Sequence, residues 1–257
     1  MKYLKTIFKS PIFYELRNFL NIRPIFIDTF RIDYGHSISD SFIWRNDNNV
    51  KTIFRYSDLL KYFYNFQTSE VEINFYNKNG EYLKKIELRN IKKINEVNIS
   101  EILSDYPSEY GTFNIFHKLN QLNNNLPSVR NSCYTGYSLG GNLPSFVHGN
   151  IPVYSKKLDG ALVQNNIINK SFLINQVYRI QDNFKKKNFS LVELFLTNPT
   201  NNSISVKFEN KKYIIKKNGS LILDATELEN TQIVSNCYYL RPIIFKYKKN
   251  YIDVHHG

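Results

Sequence analysis

The stretch from Val71 to Leu88, VEINFYNKNGEYLKKIEL, decides the fold class. Its first half alternates apolar with polar residues and places Val71, Ile73 and Phe75 on one side, which is the period of a half-buried β-strand. Asn79-Gly80 interrupts the pattern, and a second run returns from Tyr82. Because Asn-Gly accepts the positive φ angles of a type I′ turn, the stretch predicts a β-hairpin.

The last third of the chain repeats this style. Leu191 to Leu196 is an apolar run, and a second Asn-Gly pair at Asn218-Gly219 lies between the short runs 213–215 and 221–223. Both stretches have the same order of parts, namely a strand that ends in a polar turn, an Asn-Gly hairpin, a short segment that begins with Asp or Asn, and a final strand. The sequence therefore predicts a mostly β fold of two β-sandwich-like units, with a short helical N-terminus and small connecting helices.

Changes in pattern divide the chain into four predicted segments. Residues 1–30 are an amphipathic helical segment, 31–117 the first β unit, 118–187 a connector rich in Gly and Asn, and 188–257 the second β unit. Within the first unit, Asp58 to Phe66 is predicted to be a short helix, and Asn98 to Leu103, a short segment that begins with Asn, a helical turn.

The charge of the chain is strongly basic without a dense basic block. Thirty-four Lys and Arg face 22 Asp and Glu over 257 residues, which gives a net charge of +12. The abundance of Asn, Lys, Ile, Tyr and Phe matches AT-rich codon usage, so a solvated lysine-rich surface is favoured over nucleic-acid binding. Cys133 and Cys237 match no metal or redox spacing. The sequence predicts reduced thiols and a cytoplasmic location.

The first twenty residues have a helical period. Leu4, Phe8, Ile12, Leu16 and Phe19 recur three or four positions apart, with lysines elsewhere on the helical wheel. Docking of this helix on the body of the protein is the favoured interpretation. The alternative is peripheral contact with an anionic membrane through residues 1–20.

The segment from residue 131 to 150 is the most unusual part of the chain. It contains four of the ten glycines, has no clear helical or strand period, and predicts a functional loop. Aromatic rings stack on pyranose rings, while amides and guanidinium groups bind hydroxyl and acidic groups. The candidate ligand-binding residues are Arg130, Tyr134, Tyr137, Ser138, Asn142, His148 and Asn150.

Two catalytic alternatives involve the same region. Gly136-Tyr137-Ser138-Leu139-Gly140 matches the nucleophile elbow of the α/β-hydrolases. No apolar strand precedes it and no helix follows, so a coincidental match is favoured over a serine hydrolase using Ser138. The second alternative is a metal-dependent enzyme, in which Asp253 and His255 project from one face of a strand and join His148 as ligands.

The stretch Phe146-Val147-His148-Gly149-Asn150, with the overall composition, resembles uncharacterised proteins of bacterial surface-polysaccharide gene clusters. That resemblance implies a carbohydrate- or glycoconjugate-binding or accessory protein of polysaccharide biosynthesis, with a saccharide as partner.

Overall fold

The computed structural model describes residues 12–13, 16, 19–20, 35–66, 69–89, 91–119, 126–131, 133–149, 151–160, 167–168, 170–171, 175–180, 188–227 and 231–257. Within these residues the protein is mostly β, as predicted. The strands are β1 (His36–Asp40), β2 (Phe42–Arg45), β3 (Val50–Ser57), β4 (Glu70–Asn77), β5 (Tyr82–Leu88), β6 (Ile94–Asn98), β7 (Tyr110–Lys118), β8 (Val129–Arg130), β9 (Cys133–Leu139), β10 (Ser145–His148), β11 (Pro152–Lys157), β12 (Gln176–Ile180), β13 (Leu191–Thr197), β14 (Ile204–Phe208), β15 (Lys211–Ile215), β16 (Ser220–Asp224), β17 (Thr231–Ser235), β18 (Ile243–Lys248) and β19 (Tyr251–His256).

Two short helices connect strands of the first unit where the sequence predicts them. Helix α1 spans Leu59–Tyr64; the Asp58 carboxylate accepts from the Lys61 amide, and Asn65 ends the helix in the left-handed region. Helix α2 spans Ile99–Ile102, and the side chain of Asn98 caps it. The backbone is also helical at Ile12, Phe13, Leu16 and Phe19.

The strands form five sheets. Sheet A has the order β2-β7-β4-β5, sheet B β10-β9-β3-β6, sheet C β11-β1-β8, sheet D β12-β17-β14-β15 and sheet E β16-β13-β18-β19. All pairings within these sheets are antiparallel except that of β1 with β8. Sheets A, B and C make up the first unit, and sheets D and E the second.

Each unit has its own core between two facing sheets. Sheets A and B enclose an aromatic centre in which the Phe113 ring lies 4.9 Å from Phe54 and 5.3 Å from Phe42, between centroids. Sheets D and E enclose aliphatic side chains, among them Leu194 and Ile233. Burial of these alternating apolar positions is the main force that holds each sandwich together.

Sheet C covers the remaining face of sheet A through a buried ion pair. The Lys156 ammonium on β11 lies 2.7 and 2.8 Å from the two carboxylate oxygens of Glu72 on β4. The hydroxyls of Ser37 and Ser39 accept from backbone amides of β7. Polar contacts, rather than apolar packing alone, therefore position β1 and β11.

A third core cluster joins the two units. Tyr137 of sheet B packs edge-on against Phe245 of sheet E, with centroids 4.9 Å apart, and Tyr110 packs against Phe195 at 5.4 Å. The buried members of this cluster are Ile43, Val50, Tyr137, Val147, Phe195, Ile243, Phe245, Tyr247, Ile252 and Val254. Sheet B thus buries one face against both sheet A and sheet E.

One predicted Asn-Gly hairpin is confirmed, with a different turn. Strands β4 and β5 pair antiparallel around Asn79-Gly80. Gly80 has a φ of 79°, whereas Asn79 is not among the residues with positive φ, and the Gly80 amide donates to the Asn77 carbonyl. A type I′ turn needs two positive φ angles, so the turn is not of that type.

The second predicted Asn-Gly hairpin is wrong. Strand β15 pairs with β14 in sheet D, whereas β16 pairs with β13 in sheet E, so residues 216–219 cross from one sheet to the other. This crossing turn lies against the first hairpin, since the Ser220 amide donates to the Lys78 carbonyl at 3.0 Å. Turn chemistry specifies a reversal of the chain but does not specify the sheet in which the next strand lies.

The predicted connector contributes to both units. Its strands β9 and β10 belong to sheet B, β8 and β11 to sheet C, and β12 to sheet D. The strands of the two sandwiches therefore extend beyond the predicted bounds 31–117 and 188–257. No helix among the described residues has the length and apolar character needed to cross a membrane.

Candidate functional site

The predicted functional loop is largely a hairpin. Residues 133–139 and 145–148 are β9 and β10, joined by a turn in which Gly140 and Gly141 have φ angles of 59° and 82°. Side chains alternate between the two faces of these strands. The hairpin therefore separates the candidate residues that the sequence groups together.

Tyr137 lies on the buried face and is not available to a ligand. It is fully buried, and its hydroxyl donates to the Ile43 carbonyl at 3.0 Å. Burial raises the pKa of this phenol above its ordinary value. Its role is packing between the units.

Ser138 does not occupy a nucleophile elbow. It lies within the regular strand β9, paired with Lys51 of β3, and the chain continues into a hairpin turn. An elbow requires a sharp turn from a strand into a helix. In the described residues 133–149, the G-x-S-x-G match is therefore a strand and turn sequence without elbow geometry.

Two candidate residues lie side by side on the exposed face of sheet B. The register aligns His148 with Tyr134, Tyr134 with Arg55, and Arg55 with Glu96. Tyr134 is 50% exposed. The Arg55 guanidinium donates to Glu96 at 2.6 Å and lies 4.6 Å from the centroid of Phe146. We call the four aligned residues His148, Tyr134, Arg55 and Glu96 the sheet B row.

The other polar candidates have partners within the protein. Arg130 forms two hydrogen bonds, of 2.8 and 2.7 Å, with the carboxylate of Asp40. The side-chain Nδ2 of Asn142 donates to the Asn250 carbonyl at 2.8 Å and so connects the β9–β10 turn to the β18–β19 turn. Asn150 lies outside the described residues.

The structure does not bring the predicted metal ligands together. The His148 ring lies 4.5 Å from that of His256 instead, and the His256 Nε2 contacts the His148 carbonyl oxygen at 3.1 Å. His255 precedes His256 on β19 and points to the opposite face, while Asp253 forms an ion pair with Lys246 at 2.6 Å. Among the described residues, no three His, Cys, Asp or Glu side chains form a group that could hold a metal ion.

A groove that the sequence analysis missed lies at one end of sheet E. The residues leading into β13 and the β18–β19 turn meet there because β13 and β18 are neighbours. The backbone amide and the hydroxyl of Ser190 both donate to the Tyr247 carbonyl, and these bonds hold the segment that precedes β13 against β18. The groove is shallow and wide open to solvent, has a volume of about 560 Å³, and is lined by Asn188, Phe189, Ser190, Lys248, Lys249, Asn250 and Tyr251.

The groove combines aromatic rings with positive charge. The Lys248 ammonium lies 5.2 Å from the centroid of Phe189 and 5.3 Å from that of Tyr251, both within cation–π distance. Among the described residues, neither Lys248 nor Lys249 has a carboxylate partner, whereas the nearby Lys246 is paired with Asp253. The groove therefore presents two ammonium groups that a ligand can neutralise.

Only part of this groove can be predicted from the sequence. Lys249-Asn250 is recognisable as a turn between two alternating runs, and its flanking Lys248 and Tyr251 face each other across the hairpin. The approach of Phe189 depends on the order of strands in sheet E, which the sequence pattern does not reveal.

Comparison of the chain with known proteins identifies no family. No protein-family model matches the chain, and no curated protein matches it.

Proposed function

We propose that the protein binds an acidic saccharide or glycoconjugate, carrying a carboxylate or phosphate group, in the groove at the end of sheet E. The observation that carries this proposal is the convergence of Tyr251 and Phe189 with Lys248 and Lys249 around one concavity. Concave sites with an apolar wall and a few polar groups are the usual form of small-ligand sites.

Each part of a saccharide has a matching group in the groove. The exposed ring of Tyr251 suits stacking on the apolar face of a pyranose. The side chains of Asn188 and Asn250 supply donors and acceptors for hydroxyl groups. Lys248 and Lys249 suit an acidic substituent, because ammonium groups form strong charge-assisted hydrogen bonds with carboxylate and phosphate oxygens.

The predicted loop contributes to the groove through one residue. Asn142 holds the backbone of Asn250 and thereby the turn that carries two groove residues. Its role in this proposal is to position the turn, and the ligand contacts come from sheet E. The expected cytoplasmic location and the accessory role in polysaccharide biosynthesis belong to the same proposal, and the buried free thiols of Cys133 and Cys237 support the location.

The test uses an array that presents neutral, uronic-acid-containing and phosphorylated oligosaccharides, followed by titration calorimetry of the bound sugars. We expect binding to acidic glycans that weakens with added salt. Tyr251→Ala and Lys248→Gln should each weaken binding about tenfold or more, which corresponds to about 1.4 kcal/mol.

Tyr134→Ala is the matched control, since Tyr134 and Tyr251 are exposed to similar extents, 50% and 44%, on different sheets. This variant should bind like the wild type. Loss of binding in Tyr134→Ala alone would move the site to the sheet B row. Absence of binding to every glycan on the array would refute the proposal itself.

A further inference from the structure

An apolar face of the N-terminal helical segment is exposed. Ile12, Leu16 and Phe19 occur at i, i+4 and i+7, the spacing of one helix face, and the Leu20 amide donates to the Leu16 carbonyl at 2.9 Å. Their side chains are 83%, 49% and 83% exposed. The favoured expectation, that the apolar face of this helix docks on the body of the protein, does not hold for these three residues.

Another side of the same segment is already partly covered. Phe13 and Leu20, seven residues apart, are each half-buried. Among the described residues of this segment, one side is thus partly shielded from water, and another carries large apolar groups that face water. Exposing such a face costs free energy, roughly in proportion to its apolar area, and an occupant of matching character relieves that cost.

The charge of the surrounding sequence indicates which occupant fits. Residues 1–20 contain Lys2, Lys5, Lys9 and Arg17 but only Glu15 as an acidic residue. The chain as a whole carries a net charge of +12, so a second copy would approach against electrostatic repulsion. An anionic phospholipid surface offers both hydrocarbon for the apolar side chains and negative charge for the basic ones.

We propose that Ile12, Leu16 and Phe19 form a membrane-contact face that binds the protein to anionic lipid bilayers, with the helical segment lying in the plane of the headgroups. This binding is peripheral and is independent of the saccharide groove.

Co-sedimentation with vesicles tests the proposal, using phosphatidylcholine alone and phosphatidylcholine mixed with phosphatidylglycerol. The wild type should bind the mixed vesicles at least about tenfold more tightly than the neutral ones, because basic side chains near an anionic surface each add attraction. The double variant Ile12→Ser/Phe19→Ser should lose about tenfold or more of that affinity. Phe63→Ser is the matched control, since Phe63 is a similarly exposed apolar residue, 73%, on a different helix, α1.

Equal vesicle binding by the wild type and the double variant, or no binding of the wild type to the mixed vesicles, would overturn the proposal. A second copy as occupant would appear in sedimentation velocity as a concentration-dependent dimer that the double variant lacks, and this too would overturn it. All three replaced side chains are exposed, so the variants are expected to keep the unfolding temperature of the wild type.

Discussion

The Arg45 guanidinium on β2 donates to the Glu193 carboxylate on β13 at 2.6 Å, in the buried contact between the two units. Arg45 is fully buried; it also donates twice to Asp47, and its Cζ lies 4.7 Å from the Phe245 ring centroid. Burial alone would lower the pKa of Arg45, but the Asp47 hydrogen bond and the nearby negative charges raise it above its ordinary value. The guanidinium therefore remains charged within the interface.

Removing one partner of this ion pair should destabilise the protein strongly. Glu193→Ala leaves the Arg45 charge without its inter-unit partner, and we expect the free energy of unfolding to fall by about 3–5 kcal/mol. Chemical denaturation of the variant and the wild type measures this change.

Glu96→Ala is the matched control for that experiment. The Glu96 carboxylate also lies 2.6 Å from an arginine, Arg55, but its side chain is 52% exposed, against 9% for Glu193. The expected loss is below about 1 kcal/mol. Equal losses of unfolding free energy in the two variants would show that burial does not determine how much each ion pair contributes to stability.

The contact between the two Asn-Gly turns predicts that replacement of Gly80 by a larger residue lowers the stability of the protein. A Cβ at this position would lie 1.9 Å from the Lys217 carbonyl oxygen, and the residue has a φ of 79°. Gly80→Ala should therefore cost about 2–4 kcal/mol, combining backbone strain with overpacking.

Gly141→Ala isolates the backbone contribution to that cost. Gly141 has a similar φ of 82°, but a Cβ there would meet nothing within 4 Å. We expect a loss of about 1 kcal/mol from the conformation alone. If both variants lose the same free energy in thermal or chemical unfolding, the two turns do not constrain each other.

His117 predicts a dependence of stability on pH. It is fully buried, its two ring nitrogens have no hydrogen-bond partner among the described residues, and its Nδ1 lies 4.0 Å from the Asp58 carboxylate. Burial lowers the pKa of His117 to about 4, although the charge of Asp58 and the neighbouring Asn131 side chain oppose this. The folded protein therefore binds a proton at this site less readily than the unfolded chain does.

The sign of the effect follows from this difference in proton binding. Above pH ~6.5 the imidazole is neutral in both states, whereas between pH ~6.5 and ~4 only the unfolded chain gains the proton, so stability falls as the pH falls. Urea denaturation from pH 7 to pH 4 should give a shallower decline for His117→Phe than for the wild type. Parallel curves for the two proteins would show that His117 does not titrate in this way.

Both thiols should be inert in the folded protein. Cys133 and Cys237 are free and buried. Burial raises the pKa of Cys237 to about 12 and that of Cys133 well above its ordinary value. The thiolate is the reactive form of cysteine. Ellman's reagent at pH 8 should therefore label both residues rapidly in the denatured protein and much more slowly in the native protein. Rapid labelling of the native protein would contradict the burial of these thiols.

Local pattern predicted the elements of this fold better than their partners. Alternation predicted the strands around Ile73 and Val206, and the two short helices were also predicted at their positions, because each of these local patterns depends on only a few neighbouring residues. The crossing turn at Asn218-Gly219 was misassigned because a hairpin and a sheet-to-sheet crossing use the same turn residues. Only the pairing of β15 with β14 and of β16 with β13 separates the two cases.

The site was predicted only in part for a related reason. The 131–150 segment was predicted to be an irregular loop because the chemistry of β9 does not follow its alternation. The polar Thr135 faces the buried side with Tyr137, whereas the aromatic Tyr134 faces solvent. The Phe146 ring lies over Gly136, where a Cβ would approach it to 2.6 Å. The aromatic groups of the groove come together only through strand order, which long-range pairing decides.

The apolar cluster shared by sheets B and E prevents division of the chain into two separately folded fragments. A fragment ending before residue 188 would expose Tyr137 and Val147, and the complementary fragment would expose Phe195 and Phe245. Neither half would have a water-compatible outer surface on its own, and each would tend to aggregate. Denaturation should accordingly proceed as one cooperative event in which both sandwiches melt together, so the molecule behaves thermodynamically as a single domain despite its two separate cores.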